Sequence, residues 1–151
     1  MGHIATGATL MLSSVFLFAG FAKLAAPAST AEAMASSAWI TGTIGEHNLE
    51  TAAAALGFVE VLLAAWLISG KQALLAAGAA LALLALFSVY LAAERLLGTT
   101  PGGCGCGLGS DRVAEWFGVH AFIVALWRNV LLGGASLLVL RIYMYCEQPN
   151  N

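Results

Sequence analysis

Residues 51–93 read TAAAALGFVEVLLAAWLISGKQALLAAGAALALLALFSVYLAA. Two apolar runs, about Thr51–Ser69 and Gln72–Ala93, are separated only by Gly70 and Lys71. Each is long enough to cross a ~30 Å hydrocarbon layer as a helix rising ~1.5 Å per residue. So short a connection turns the second run back along the first, which predicts an antiparallel helical hairpin in a bilayer. The same test adds a run at about Ile4–Leu24 before the hairpin and one at about Phe117–Tyr143 after it. The first is read as a span rather than a secretory signal. No Lys or Arg precedes it, and it is longer than a signal core usually is.

Composition supports the same solvent. Of 151 residues, 60% are hydrophobic and 9% charged, and the mean hydropathy is +0.88. Such a chain would expose too much apolar surface as a globular domain in water. The 6 Lys and Arg residues are scattered singly, which excludes a nucleic-acid surface. The expected fold is all-α: a four-helix transmembrane bundle forming a single polytopic domain over residues 1–151. Gly20, Gly57, Gly78, Gly133 and Gly134 are expected to let the helices approach closely. An even number of spans puts both termini on one face and both long connections on the other. In the first connection, Lys23 to Glu50, the sequence Ser29-Thr30-Ala31-Glu32 has a capping-box pattern. It predicts a short interfacial helix through Ala38, lying on the membrane surface through its alanines, Met34 and Trp39.

Charge inside the spans is the first functional signal. Glu60 lies within the second span, and Arg128-Asn129 within the fourth. Counted from the face both spans share, Glu60 and Arg128 lie roughly 13 and 17 Å deep. An unpaired charge there costs at least ~2.5 kcal/mol, so the two are expected to face inward and meet, with Asn129 completing the hydrogen bonding. Two readings of this set stay open: a structural tie between helices, or a polar lining for a quinone head group or a proton path.

The second connection, Glu94 to Trp116, carries Gly102-Gly103-Cys104-Gly105-Cys106-Gly107-Leu108-Gly109. Thiols at i and i+2 meet only over a sharply bent backbone, and the flanking glycines permit that bend. The ring they would close is tight, and strain makes a disulfide labile and exchangeable. It would enclose too little chain to stabilise a fold. Dithiol exchange, soft-metal binding of Cu(I), Hg(II) or zinc, and a plain glycine bend are the three readings of the residues. His47 and His120 lie on the same face and are candidates to move protons during exchange, since the thiolate is the attacking species. Cys146 lies beyond the fourth span, on the opposite face, and is read as an isolated thiol.

Taken in order, Phe18-Ala19-Gly20-Phe21-Ala22-Lys23-Leu24 followed by Pro27, then Glu60, Cys104-Gly105-Cys106 and Arg128-Asn129, resemble the MauE branch of the DoxX-like membrane proteins. The resemblance implies a four-helix protein of the bacterial inner membrane associated with thiol redox chemistry. MauE-type proteins support maturation of a disulfide-rich periplasmic enzyme subunit alongside a thioredoxin-like partner, and other DoxX relatives belong to quinone-reducing systems. By resemblance, Cys104 and Cys106 become the redox pair, Glu60, Arg128 and Asn129 the intramembrane polar set, and Lys23 the interfacial end of the first span. The chain departs from the family where Gly107-Leu108-Gly109 follows the second cysteine and where Ala26 precedes Pro27.

The leading expectation is a membrane thiol–disulfide oxidoreductase. It would relay electrons between an extracytoplasmic thioredoxin-like or disulfide-bearing protein and a membrane acceptor such as quinone. A soft-metal binding or transport protein and a non-catalytic assembly subunit are the alternatives. Lys23, Arg95 and Arg112 on the cysteine face against Lys71 and Arg141 on the other is too small a bias to orient the chain. Because disulfides belong to oxidising compartments, the cysteine connection is expected to be extracytoplasmic.

Overall fold

The computed structural model describes residues 2–97 and 121–147. Among these the chain forms helices α1 (Gly2–Ala25), α2 (Pro27–Ala35), α3 (Ala38–Ile44), α4 (Leu49–Ser69), α5 (Ala73–Leu96) and α6 (Ala121–Glu147). A 3₁₀ turn, Glu46–Asn48, leads into α4. Four of these helices contain stretches long and apolar enough to cross a membrane: Thr6–Ala25, Ala73–Leu96 and Ile123–Met144, with Glu46–Ser69 running from the 3₁₀ turn through α4. The chain is a multi-pass membrane protein.

The four long helices close into a ring, α1 on α4, α4 on α5, α5 on α6 and α6 back on α1. Its centre is one cluster drawn from all four, with Leu12 and Phe16 against Leu63, Ala64 and Leu67, and Ala76, Ala77, Ala80 and Leu84 against Leu132 and Val139. Alanine dominates the α5 contribution. The larger side chains face outward: Phe18, Phe58, Leu86 and Leu131 are all exposed on the bundle's outside, as a helix surrounded by acyl chains requires.

The hairpin turn takes three residues. Gly70 ends α4 in the left-handed region (φ 65°), its N–H donating to the Leu67 carbonyl, and Gln72 (φ 55°) enters α5. Glycine suits the first position because it has no Cβ to clash there.

The first connection differs from its expected form. Proline lacks an N–H and pushes the residue before it toward extended backbone. Ala26 accordingly leaves the helical region (φ −141°, ψ 67°), and α2 starts at Pro27, two residues before the expected cap. Ser29 therefore sits inside the helix, its hydroxyl donating to the Ala26 carbonyl at 2.9 Å. A second helix, α3, follows the extended Ser37. Both helices pack against the bundle, burying Ala31 and Ile40 against Leu49 and the flank of Tyr90.

Close approach is concentrated at one crossing, between α1 and α4. A Cβ on Gly20 would lie 2.6 Å from the Gly57 carbonyl oxygen, and one on Gly57 would lie 2.8 Å from the Gly20 oxygen and 2.9 Å from Lys23 Cβ. Gly78 and Gly134 face open space, and Gly133 meets only a Leu81 methyl at 3.7 Å, so these three do not serve the packing expected of them. Gly57→Ala should therefore destabilise by about 1–3 kcal/mol through overpacking against backbone. Gly134→Ala should be neutral or stabilising by up to ~1 kcal/mol through helix propensity. Unfolding in detergent checks both, and equal effects would contradict the close crossing.

Candidate functional site

Glu60 lies mid-way along α4, is 2% exposed, and forms an ion pair with Lys23 of α1, itself 1% exposed. The ammonium donates to both carboxylate oxygens, at 2.9 Å to Oε1 and 2.6 Å to Oε2. Local geometry explains how groups so far apart along their axes meet. Gly20 and Gly57 are level with each other, and each charged residue lies three positions further along its own helix. Because α1 and α4 are antiparallel, the two Cα atoms are then offset by roughly 9 Å along the axis. Helical side chains lean toward the N-terminus, which on antiparallel helices aims them at each other. The Lys23 stem passes over Gly57, where a Cβ would collide with it.

Lys23, inferred to mark the interfacial end of the first span, is folded into the bundle as a countercharge of Glu60. The expectation drawn from the sequence paired Glu60 with Arg128 and did not consider Lys23. The reading compared backbone depths and left out the reach of a lysine and the lean of both side chains. A usable signal was present: Gly-x-x-Lys at 20–23 and Gly-x-x-Glu at 57–60 repeat one small-to-charged spacing on two helices.

Arg128 and Asn129 fall on α6, where the Arg128 Nη2 donates to Asn129 Oδ1 at 3.1 Å. Asn129, 2% exposed, donates through Nδ2 to Ser88 Oγ at 3.4 Å, and Ser88 donates to the Leu84 carbonyl at 2.8 Å. This ladder ties α6 to α5 and orients the guanidinium.

A second buried acid, Glu94 on the last turn of α5, is 1% exposed. Its Oε1 accepts from the Ser37 hydroxyl and, at 2.8 Å, from Trp39 Nε1. The Trp39 ring also lies against Tyr90, with centroids 6.0 Å apart and planes tilted by 58°. Glu94 went unrecognised in the sequence because the third span was ended at Ala93; α5 continues to Leu96 and carries the carboxylate inward.

Between these groups lies a cavity of about 240 Å³, lined by residues of α2 through α6, including Met34, Trp39, Phe87, Tyr90, Arg128 and Asn129. Arg128 and Asn129 line this cavity, and Glu60 is not among its lining residues. His47 sits exposed in the 3₁₀ turn, its ring close over Gly45. Cys104, Cys106 and His120 lie outside the described residues.

Fold and site together define a multi-pass membrane protein of four long helices with charged side chains buried in its bundle. More particularly, the chain belongs to the MauE family: the family model described as methylamine utilisation protein MauE matches residues 1–142. No curated protein and no solved structure matches it.

The ion pair carries its own prediction. Lys23→Met or Glu60→Leu alone should destabilise by about 3–5 kcal/mol, because each leaves one buried charge uncompensated. The double variant should recover most of that loss. Additive losses in a double-mutant cycle would contradict the pairing.

Proposed function

We propose that the chain is an integral membrane thiol–disulfide redox component in which Cys104 and Cys106 are the exchanging pair. The observation that carries the reading is the Cys104-Gly105-Cys106 sequence, set among glycines between α5 and α6 of a MauE-family membrane protein. One thiolate attacks a partner disulfide to give a mixed disulfide. The second thiolate then displaces the partner's sulfur, leaving the partner as a dithiol and Cys104–Cys106 as a disulfide. Two electrons and two protons move in that transfer, and the reverse sequence returns them. The partner is an extracytoplasmic thioredoxin-like or disulfide-rich protein. On the membrane side the electron carrier is of the quinone class, which takes up or gives back the same two electrons and two protons. His47, exposed near the start of α4, and His120 are suited to carry protons for the thiols. The glycine-rich segment faces the extracytoplasmic side of the inner membrane, the compartment in which a disulfide persists.

Three experiments test this. Cys104→Ser or Cys106→Ser should abolish function while leaving membrane insertion intact, and Gly105→Val should be nearly as damaging. A β-branched residue disfavours the bent backbone a small ring needs, whereas two thiolates holding one metal ion tolerate it better. Mass spectrometry after acid trapping should find Cys104 joined to Cys106 under oxidising conditions; failure to find it at any redox poise overturns exchange in favour of the metal reading. For orientation, a membrane-impermeant thiol reagent should label the reduced pair in intact cells or spheroplasts. Labelling only after lysis would reverse the topology.

A further inference from the structure

The cavity of about 240 Å³ differs in kind from the larger hollows of the bundle. Those, about 490 and 550 Å³, are grooves each lined by only two helices, α4 with α5 and α1 with α6, the second also reaching Arg128. The smaller one takes lining from five helices, α2 to α6, and α2 and α3 contribute one wall of it. Its volume exceeds the ~150 Å³ that suffices to hold a benzene ring, so one substituted ring fits.

The walls are almost wholly apolar, and their composition is selective. Trp39, Phe87 and Tyr90 supply three aromatic rings and Met34 a polarisable thioether, surfaces that favour a flat π-system over a flexible chain. Among the polar lining residues, Arg128 carries donors only, and its guanidinium is set in place by Asn129 Oδ1. No carboxylate lines the cavity among the described residues. The Trp39 wall is fixed from behind, since Glu94 takes its indole N–H and the Ser37 hydroxyl. Few polar groups in a mostly apolar, largely preformed hollow is the usual form of a small-molecule site.

We propose that this cavity seats the ring of a flat, tail-bearing membrane molecule with acceptor oxygens, which is the chemistry of a quinone. The inference rests on the proposed function for its redox meaning, but the binding itself does not need the cysteines. Arg128 donates to a ring oxygen, Trp39 and Tyr90, packed on each other, present one shared aromatic wall to the ring, and Glu94 is a positioning residue acting through Trp39.

The test uses the full chain carrying Cys104→Ser and Cys106→Ser, in lipid nanodiscs, with a short-tailed azido-benzoquinone as photoprobe. Labelling should be saturable, should map to peptides containing Met34, Trp39 or Tyr90, and should be displaced by the unlabelled benzoquinone but not by oleate. Leu56→Trp fills the cavity from α4 and should weaken labelling roughly tenfold, because an overfilled site loses the volume a ring needs. Leu131→Trp, on the exposed face of α6, should leave labelling unchanged. Trp39→Leu, at a half-exposed position, removes a ring without filling the site, and should also weaken labelling if Leu56→Trp fails to fold. Labels elsewhere, equal displacement by oleate, or labelling unaltered in both cavity variants would overturn the site. Such a result would leave the dithiol reading standing, since acid trapping tests that separately.

Discussion

The ion pair between Lys23 and Glu60 is the constraint on which the arrangement of this bundle turns. Either charge alone would be prohibitive at that depth, so α1 and α4 must keep the register that brings them together. Register in turn needs backbone contact, since a side chain at position 20 or 57 would hold the helices too far apart. It would also block the path of the lysine stem. Two glycines and two charges thus form one unit in which none serves its purpose without the others. Its contribution is to specify one arrangement rather than to add stability, because a buried ion pair returns little net energy over an apolar replacement.

From that crossing the rest of the polar architecture follows in sequence. Fixing the end of α1 fixes Pro27 four residues later, and so the direction in which α2 and α3 leave the bundle. They return over α4 and α5, where Ser37 and Trp39 meet the buried carboxylate of Glu94. A carboxylate that close to a helix C-terminus is unfavourable against the helix dipole, so its two donors compensate a specific local penalty as well as burial. Asn129 and Ser88 complete the set by joining α6 to α5. Buried charge and hydrogen bonding thereby gather in the half of the bundle nearest α2 and α3. The opposite half, around Leu67, Ala76 and Val139, is closed mainly by apolar packing, with the small hydroxyls of Ser13 and Ser136 buried among it.

How legible this was in the sequence depended on the range of the interaction that decides each feature. The four long helices and the hairpin were readable because span length and hydropathy are properties of contiguous residues. The start of α2 was misjudged by two residues, because a serine-rich capping pattern competed with a proline and the proline's missing donor prevailed. The Lys23 contact of Glu60 was not readable from depth alone, because the lysine lies further off along the axis and reaches the carboxylate by stem length and lean. Gly78 and Gly134 resemble Gly20 and Gly57 in sequence and differ only in what they face, which is tertiary information. Glu94 escaped notice because a boundary three residues short left it in a loop.

A division of labour follows for the proposed chemistry. Thiol exchange needs sulfurs able to approach a partner, separate and approach again, which asks for a backbone with few steric restrictions. A ring seated in an apolar cavity asks for the reverse, walls held in one geometry so that little order is lost on binding. The chain separates these demands along its length. Glycines crowd the segment holding Cys104 and Cys106, whereas the cavity is walled by helices locked through buried acids. Glu94 lies where the two regions adjoin, on the last turn of α5 before the chain runs on toward the cysteines. Altering it would disturb the Trp39 wall and the end of α5 together, without removing any group that handles electrons. Its influence on the proposed reaction is therefore one of position, exerted through the indole it holds.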